Sequence, residues 1–375
     1  MKNKLKILEL TNFSAGGCGV FARVKREASL LKRAGYKVKI FSSNLEKGTN
    51  KIMPEKDSFD GVNIIRFPAI SLGGESFTRW NFTKQAVEYH PDIIIAHAYR
   101  HYHTLLAIKI AKKINAKVFL VTHAPFDRDE SRALLARVAV RFFDKFIGPA
   151  VLKKYNKVIA ITKWEMPYLY KLGVKKDKIS YIPNGILDEF FLKDKVKEER
   201  KMIYTGRVSP IKDIKTLVKS VPLLSDKDIT LEVYGPAENS YLKELKELTS
   251  SIKKRVTFID KIYDSKSQIK EIDSSKLFIL PSLSEGMPQV LIEAMARGKI
   301  VIASNNQGNS DIIKNAENGL LFKIGNPADL AKKIDFALSL SKIDSAKISQ
   351  NARKTAEKFK WSKIIESLDM LIHKA

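Results

Sequence analysis

The stretch LPSLSEGMPQVLIEAMARGKIVIAS, residues 280–304, decides the fold. KLFIL (276–280) is a short apolar run that ends at Pro281 and suits a buried strand. Glu285-Gly286 followed by Pro288 is loop chemistry, and a proline suits the first turn of a helix because the N–H it lacks has no partner there. Val290, Leu291, Ala294 and Met295 recur at helical spacing, and Gly298 ends the helix as a left-handed cap. IVIA (300–303) is a second strand. Strand, loop, helix and strand make a βαβ unit, so the two strands run parallel. In an open parallel sheet, ligands bind at the loops that leave the carboxyl ends of strands. Glu285 lies on such a loop.

The helix start beside Glu285 presents N–H groups and a partial positive charge, a natural seat for phosphate. A carboxylate repels phosphate, so Glu285 and Glu293 are suited instead to hydroxyl groups, which donate to ionised acceptors. Five positions from Pro288 to Glu293 span about 7–8 Å of helix. A ligand with phosphates in the middle and hydroxyl-rich rings on both sides satisfies the pair, which describes a nucleoside-diphosphate sugar. The alternative is that Glu285 only caps the helix and Glu293 is solvated surface. Spacing alone leaves both open.

The 375 residues are enough for two domains, and 44% apolar content marks a globular chain. Apolar runs fall short of the ~20 residues a membrane span needs. The N-terminus turns polar too early for a signal peptide, and the single Cys18 fits a reducing cytosol. A cytoplasmic location is expected, in solution or at the inner face of the membrane. No cysteine pair and no HExxH occur, so neither metal nor other cofactor is expected. His97, His101 and His103 follow a strand and could bind a metal or ligand, but the expectation is that they line a cleft or lie on the surface. Residues 1–185 hold 34 Lys and Arg against 15 Asp and Glu, net +19, whereas the remainder holds 33 against 26, net +7. Such a field attracts nucleic acid, anionic membrane or phosphorylated substrates.

Seven strand-like runs alternate with helical stretches in the first half: 6–10, 37–42, 62–67, 92–97, 117–123, 157–162 and 179–183. After Asn184-Gly185 the alternation restarts with runs at 202–206, 229–235, 255–259, 276–280, 299–304 and 319–322. The expected architecture is α/β, with two Rossmann-like doubly wound domains facing across a cleft. The expected boundaries are 1–186, joined by a closing helix at 361–375, and 187–360.

Gly16, Gly17 and Gly19 follow the first strand and let backbone approach a ligand, although the spacing is not GxGxxG and a tight turn without a ligand is equally open. GRVSPIK (206–212) places Arg207 and Lys212 just after a strand, where Arg can grip a phosphate bidentately and Lys adds a point charge.

Taken together, GRVSPIK (206–212), YGPAE (234–238), the 280–304 stretch and NGLLF (318–322) resemble the retaining glycosyltransferases of family 4. The N-terminal glycine turn, VTHAPF (121–126), IPNG (182–185) and the terminal FKWSKIIESL carry the same resemblance, which covers nearly the whole chain. It implies a GT-B fold whose final helix returns to the N-terminal domain. That domain would bind mainly the acceptor, and the C-terminal domain the nucleotide-sugar donor. It implies that Glu285 binds donor-sugar hydroxyls and Glu293 the ribose. Arg207 and Lys212 would hold the diphosphate, aided by the N–H groups of Gly286 and Met287. His123 would contact the donor sugar, and Gly16-Gly17 would face the diphosphate. Three positions depart from the pattern. Asp213 stands where glycine is usual, Asp260 where glycine often neighbours the nucleobase, and Pro288 where a further glycine would add an N–H.

The leaving nucleoside diphosphate develops negative charge that Arg207, Lys212 and the helix dipole would stabilise without a metal. Retention is what the resemblance implies, with the leaving phosphate oxygen taking the acceptor proton. Asp127 as a general base would suit inversion instead. In Ser131–Lys154 an apolar stripe (Leu134, Leu135, Val138, Phe142, Phe143, Phe146, Ile147) is flanked by Arg132, Arg137, Arg141 and Lys145. It suits a helix lying on an anionic membrane, or equally one packed on the core. Arg23, Lys25, Arg26, Lys32 and Arg33 on the first helix add to the same basic half. The acceptor is expected to be a glycan or a lipid-linked molecule. A nucleotide-sugar epimerase on the same fold and a basic nucleic-acid-binding protein are the rival readings, but no acid/base pair and no nucleic-acid motif is found.

Overall fold

The computed structural model describes residues 5–49, 51–71, 74–126, 134–192, 196–260 and 264–374. Asp127, Ser131 and Arg132 lie outside these residues, as does the side chain of Leu135. The chain forms two compact units, Met1–Asn184 with Ile364–Ala375, and Gly185–Lys363.

In the first unit the strands are β1 (Lys6–Thr11), β2 (Lys37–Ser43), β3 (Lys56–Phe59), β4 (Val62–Phe67), β5 (Ala69–Ser71), β6 (Thr78–Trp80), β7 (Ile93–His97), β8 (Lys117–Val121), β9 (Lys157–Ala160) and β10 (Ile179–Tyr181). One sheet has the order β10-β9-β8-β7-β1-β2-β4-β3, and β5 pairs with β6 in a separate ribbon. All ladders of the large sheet are parallel except β3–β4. In the second unit β11 (Lys201–Thr205), β12 (Thr230–Tyr234), β13 (Val256–Ile259), β14 (Leu277–Leu280), β15 (Ile300–Ser304) and β16 (Leu320–Phe322) form a parallel sheet in the order β13-β12-β11-β14-β15-β16.

The second sheet has the doubly wound order 3-2-1-4-5-6. The first follows the same order, extended by a seventh strand β10 at its edge, once the inserted β3, β5 and β6 are set aside. Near-continuous Ile, Val and Leu runs make both sheets possible, because helices on both faces bury the central strands. Ile94, Ile95, Phe278 and Ile279, for example, have no exposed surface. In each unit the order reverses beside the first strand, between β1 and β7 and between β11 and β14. At such a reversal the two flanking helices go to opposite faces and open a crevice beyond the strands' carboxyl ends.

Every strand read from the sequence forms, within one to two residues at its ends. The edge strand β3 and the β5–β6 ribbon do not show in the sequence, because short exposed strands lack a buried face to impose a pattern. The terminal helix Trp361–Lys374 buries Ile364, Leu368, Leu371 and Ile372. From Ile364 onward it belongs to the first unit, where the Tyr36 hydroxyl donates to Asp369 Oδ1 at 2.5 Å.

Candidate active site

The β11–β14 reversal of the second unit gathers most of the carboxylates and cations singled out in sequence. Arg207 follows β11 and is exposed. Its carbonyl accepts from the Tyr204 hydroxyl at 2.8 Å, which fixes the turn. A 3-10 turn, Pro210–Lys212, then delivers Lys212 to the loop that follows β14. There the Lys212 ammonium donates to Glu285 Oε1 at 2.7 Å, and the Ser282 hydroxyl donates to the same oxygen at 2.6 Å. The two loops are also tied by Leu283 N–H to Ile211 C=O at 2.9 Å. The cap position of the following helix is Pro288 and not Glu285. The Glu285 carboxylate is held by a cation and a hydroxyl, with lone pairs to spare for a ligand.

The helix after this loop is Gln289–Ala296, with Pro288 at the cap position immediately before it and Gly298 left-handed beyond it at φ 74°. Gly286 and Met287 lie between Glu285 and this helix start. Gly308 packs against that loop so closely that a Cβ would stand 2.3 Å from the Glu285 carbonyl, which fixes the loop from behind. Glu293 is one turn further into the helix and half-buried, and Gln268 Nε2 donates to its Oε2 at 2.7 Å. Burial, partly offset by that hydrogen bond, pushes its pKa up to about 7. Glu293 is thus not solvated surface. Asp213 is left-handed at φ 48°, a conformation that suits the glycine the resemblance implies there, and its side chain caps the next helix by accepting from Thr216 N–H at 3.3 Å.

The first unit holds the other residues. Gly16 has φ 77°, and a Cβ there would meet the Lys47 carbonyl at 2.5 Å, so packing alone accounts for it. A Cβ added at Gly17 would meet no described atom within 4 Å, so open space lies beside that backbone. His123 follows β8 with φ 61° and Ala124 with φ 51°, two successive left-handed non-glycine residues. Such conformations persist only where the surroundings enforce them, and they cluster at functional sites. One enforcing contact is Thr122, whose hydroxyl donates to the buried Glu165 Oε2 at 2.6 Å.

Behind His123 lies a buried polar cluster that the sequence did not reveal. His123 Nε2 is 2.9 Å from His97 Nδ1, and His97 Nε2 is 2.7 Å from Glu9 Oε2. Glu27 and Arg23 complete it, joined by Arg23 Nε donating to Glu27 Oε2 at 2.8 Å. Arg23 also donates to the Ile182 carbonyl at 3.0 Å and to Asn184 Oδ1 at 3.1 Å. Glu9, Glu27 and His97 are completely buried and Arg23 is 1% exposed. Burial, reinforced by Glu27, raises the Glu9 pKa well above the usual carboxylate range. Burial and then neighbouring positive groups hold His97 and His123 well below the usual imidazole range, so both rings are neutral. Glu9, Glu27 and His97 offer ligand atoms within 4.8 Å of one another, but the Arg23 guanidinium already supplies the cation there.

Two expectations are corrected. Arg23 is buried as the partner of Glu27 and does not belong to the exposed basic surface. His97 and His103 are buried in the sheet-helix interface rather than lining a cleft or the surface, with His103 Nε2 2.9 Å from the His97 carbonyl. Periodicity could have placed Glu9, inside the apolar run KILEL, as a buried carboxylate. Nothing in the sequence pairs it with residue 97.

Of the stretch Ser131–Lys154, the residues from Leu134 onward are described. Leu134–Phe142, a π-helical turn Phe143–Ile147 and Gly148–Leu152 form one continuous helical stretch. Its inner side is fastened by a bidentate Arg100–Asp144 pair at 2.8 and 2.5 Å and by Tyr99 against Phe143. Leu134, Val138, Phe142, Phe146 and Ile147 point outward, 40–69% exposed. Among the described residues no helix is long and apolar enough to cross a membrane.

Known proteins place these features in a family. The model described as Glycosyltransferase Family 4 matches residues 18–190, and that described as Glycosyl transferases group 1 matches residues 187–355. An uncharacterized glycosyltransferase of Methanocaldococcus jannaschii is 25% identical over 357 residues, covering 88% of each chain. The N,N'-diacetylbacillosaminyl-diphospho-undecaprenol alpha-1,3-N-acetylgalactosaminyltransferase of Campylobacter jejuni is 28% identical over 233 residues, covering 58% of this chain and 60% of its own. Among solved structures, Anabaena HepE in complex with UDP and glucose has a TM-score of 0.75 at 18% identity, covering 99% of this chain and 100% of its own. The chain belongs to the family 4 glycosyltransferases and has the GT-B fold. It is a glycosyltransferase.

Proposed function

We propose that the protein moves a sugar from a nucleoside-diphosphate sugar to a hydroxyl acceptor carried on a lipid or glycan, with retention at the anomeric carbon. The observation that carries this reading is the Lys212–Glu285 pair, fixed at the carboxyl ends of adjacent strands where the sheet order reverses. Lys212 and Arg207 meet the diphosphate, Glu285 accepts hydrogen bonds from the sugar hydroxyls, and Glu293 takes the ribose hydroxyls. The backbone of Gly286 and Met287 adds to the phosphate seat, Gly17 admits the diphosphate closely, and His123 contacts the transferred sugar. Charge on the departing diphosphate is met by these fixed groups and not by a metal ion, so chelator leaves the rate unchanged. The departing phosphate oxygen receives the acceptor hydroxyl's proton as the new glycosidic bond forms on the same face.

UDP is the first nucleotide to try, since HepE was solved with it. A lipid-diphosphate acceptor is supported by the Campylobacter relative, whose name specifies one. It accords with action at the cytoplasmic face of an anionic membrane, toward which the outward apolar stripe at 134–147 and its flanking cations would turn.

The test is thermal shift with UDP, GDP and ADP and their sugar conjugates. A nucleotide at about 100 times its Kd adds about 2.7 kcal/mol to stability, so one base should raise the melting temperature and the others should not. Lys212→Ala should then lower transfer by roughly 10²-fold or more without lowering the melting temperature of the free protein. Absence of any shift, or a fully active Lys212→Ala variant, rejects the reading.

A further inference from the structure

The first unit repeats, at its own reversal of strand order, the pairing that marks the site of the second. Lys47 lies beyond β2, and its ammonium donates to both carboxylate oxygens of Glu75, at 3.0 and 3.1 Å. Glu75 opens a short 3-10 turn, Glu75–Phe77, between β5 and β6. A lysine beyond a strand's carboxyl end thus holds a glutamate, as Lys212 holds Glu285. The pair is anchored to the glycine turn after β1, where Lys47 N–H donates to the Ala15 carbonyl at 3.2 Å. In the same turn the Gly17 backbone faces open space. With side chains 30% and 50% exposed, the ion pair adds little stability.

Two further groups reach this pair from the two sides of the reversal. Asn12 follows β1 and is 4% exposed. Its Nδ2 donates to the Glu75 backbone carbonyl at 2.9 Å. A backbone carbonyl only accepts, so the orientation of the amide is settled and Oδ1 is the atom left over. That oxygen is buried and has no partner among the described residues. A buried acceptor in this state is costly, and a donor from a ligand removes the cost. His101 follows β7 and precedes the helix Tyr102–Ile114. Its Nδ1 is likewise buried without a partner among the described residues. Burial lowers its pKa to about 4, with Glu75 opposing the fall and Lys47 adding to it. The ring is neutral, and in either tautomer Nδ1 can meet a hydroxyl, as donor or as acceptor.

The chemistry of these groups selects the ligand. Asn12 Oδ1 and the Glu75 carboxylate both accept, so they require hydrogen donors. Hydroxyl groups supply them, whereas a fully ionised phosphate has none and is repelled by Glu75. We propose that Asn12, Glu75 and His101 bind a sugar that the acceptor already carries, with Lys47 as the positioning residue that holds the Glu75 carboxylate. The proposal rests on the transfer to a hydroxyl acceptor proposed above and names the class of that acceptor. The protein then extends a glycosylated carrier and does not place the first sugar on a bare lipid phosphate. An earlier transfer of a sugar or sugar phosphate to the carrier must supply the substrate.

The test is saturation-transfer NMR on the full-length protein with methyl glycosides of the common hexoses and N-acetylhexosamines. At least one glycoside should bind. Glu75→Ala and Asn12→Leu should each weaken its binding by roughly tenfold or more, whereas Glu285→Gln, in the second unit, should not. Lys47→Met should weaken it as well and Lys47→Arg should restore it, a rescue that a purely stabilising ion pair does not require. Inorganic phosphate should not displace the glycoside. The proposal is overturned if no glycoside binds the wild type, if binding survives Glu75→Ala undiminished or is lost instead in Glu285→Gln, or if phosphate competes. Glu75 is half-exposed, so its variant decides the matter even where Asn12→Leu fails to fold. If no nucleotide raises the melting temperature but glycoside binding depends on Glu75, the sugar site stands and the proposed transfer fails. If nucleotides bind and glycosides do not, the transfer stands and this site fails.

Discussion

Asp213 and Glu293, in and beside the candidate site, show two ways in which a residue bears a cost that the rest of the fold offsets. Asp213 sits in a left-handed conformation that costs a non-glycine residue about 1–2 kcal/mol, partly returned by its cap on Thr216. Replacing a capping Asp with Gly costs only a few tenths of a kcal/mol, and glycine relieves the conformation. Asp213→Gly should thus leave the melting temperature unchanged or raised, whereas Asp213→Ala, which keeps the strain and loses the cap, should lower it by an amount equivalent to about 1 kcal/mol. Thermal melts of the two variants at one pH decide this. Glu293 has a folded pKa of about 7 against an ordinary value of about 4.3. An acid raised in this way binds a proton in the folded state that the unfolded chain has already released. The stability linked to it is complete below the unfolded value and is lost as pH rises through about 7. Glu293→Gln removes that loss, so its melting temperature relative to wild type should rise between pH 5 and pH 8. A difference independent of pH would show that the carboxyl is ionised throughout. In the proposed donor complex, ribose hydroxyls donating to the carboxylate would favour its charged form, so nucleotide binding near pH 6.5 should release protons in the wild type and not in the variant.

At the scale of elements, the helical stretch from Leu134 to Leu152 divides its aromatic residues between two jobs. Phe143 packs edge-on against Tyr99, at 5.8 Å between ring centroids, beside the Arg100–Asp144 pair. Phe142 and Phe146, 4.9 Å apart, turn outward with Leu134 and Val138. Arg137, Arg141 and Lys145 flank the stripe on the same exposed surface, the pattern of a helix whose apolar side enters a bilayer while its cations reach headgroups. The inner fastening means the stripe is not a core face awaiting closure. Phe142→Ser with Phe146→Ser should therefore reduce binding to anionic vesicles by roughly tenfold or more, at about 25 cal/mol per Å² of apolar surface withheld, without lowering the melting temperature. Phe143→Ala should lower the melting temperature. Equal vesicle binding by the double variant would assign attachment to charge alone. The sequence showed this stripe but not which side faced out, because an amphipathic period is the same whether the apolar side meets protein or lipid.

Across the whole molecule, the doubly wound class was legible because every central strand is buried on both faces and reads as a continuous apolar run. The second-unit site was legible for a related reason. Arg207, Lys212, Glu285 and Glu293 lie within short distances of strand ends, and the reversal of strand order brings those ends together. The Glu9–His97–His123 line was not legible, since it joins residues 88 and 26 positions apart through side chains alone. Charge illustrates the same limit. Residues 1–185 carry net +19 and the rest +7, but the sequence does not separate surface charge from buried charge. Arg23 and Arg66, both at most 2% exposed and each bonded to a carboxylate, contribute little to the outer field. Lysines and arginines that remain exposed, including Lys32, Arg33, Arg137, Arg141 and Lys145, act on an anionic surface through a field screened within about 10 Å at 0.1 M salt. Co-sedimentation with vesicles containing anionic lipid should therefore be strong at low salt and fall steeply by about 0.5 M, with neutral vesicles retaining only the weaker part due to the apolar stripe. Binding that is equal on neutral and anionic vesicles, or indifferent to salt, would mean that the excess of cations serves a phosphorylated acceptor in solution and not a membrane.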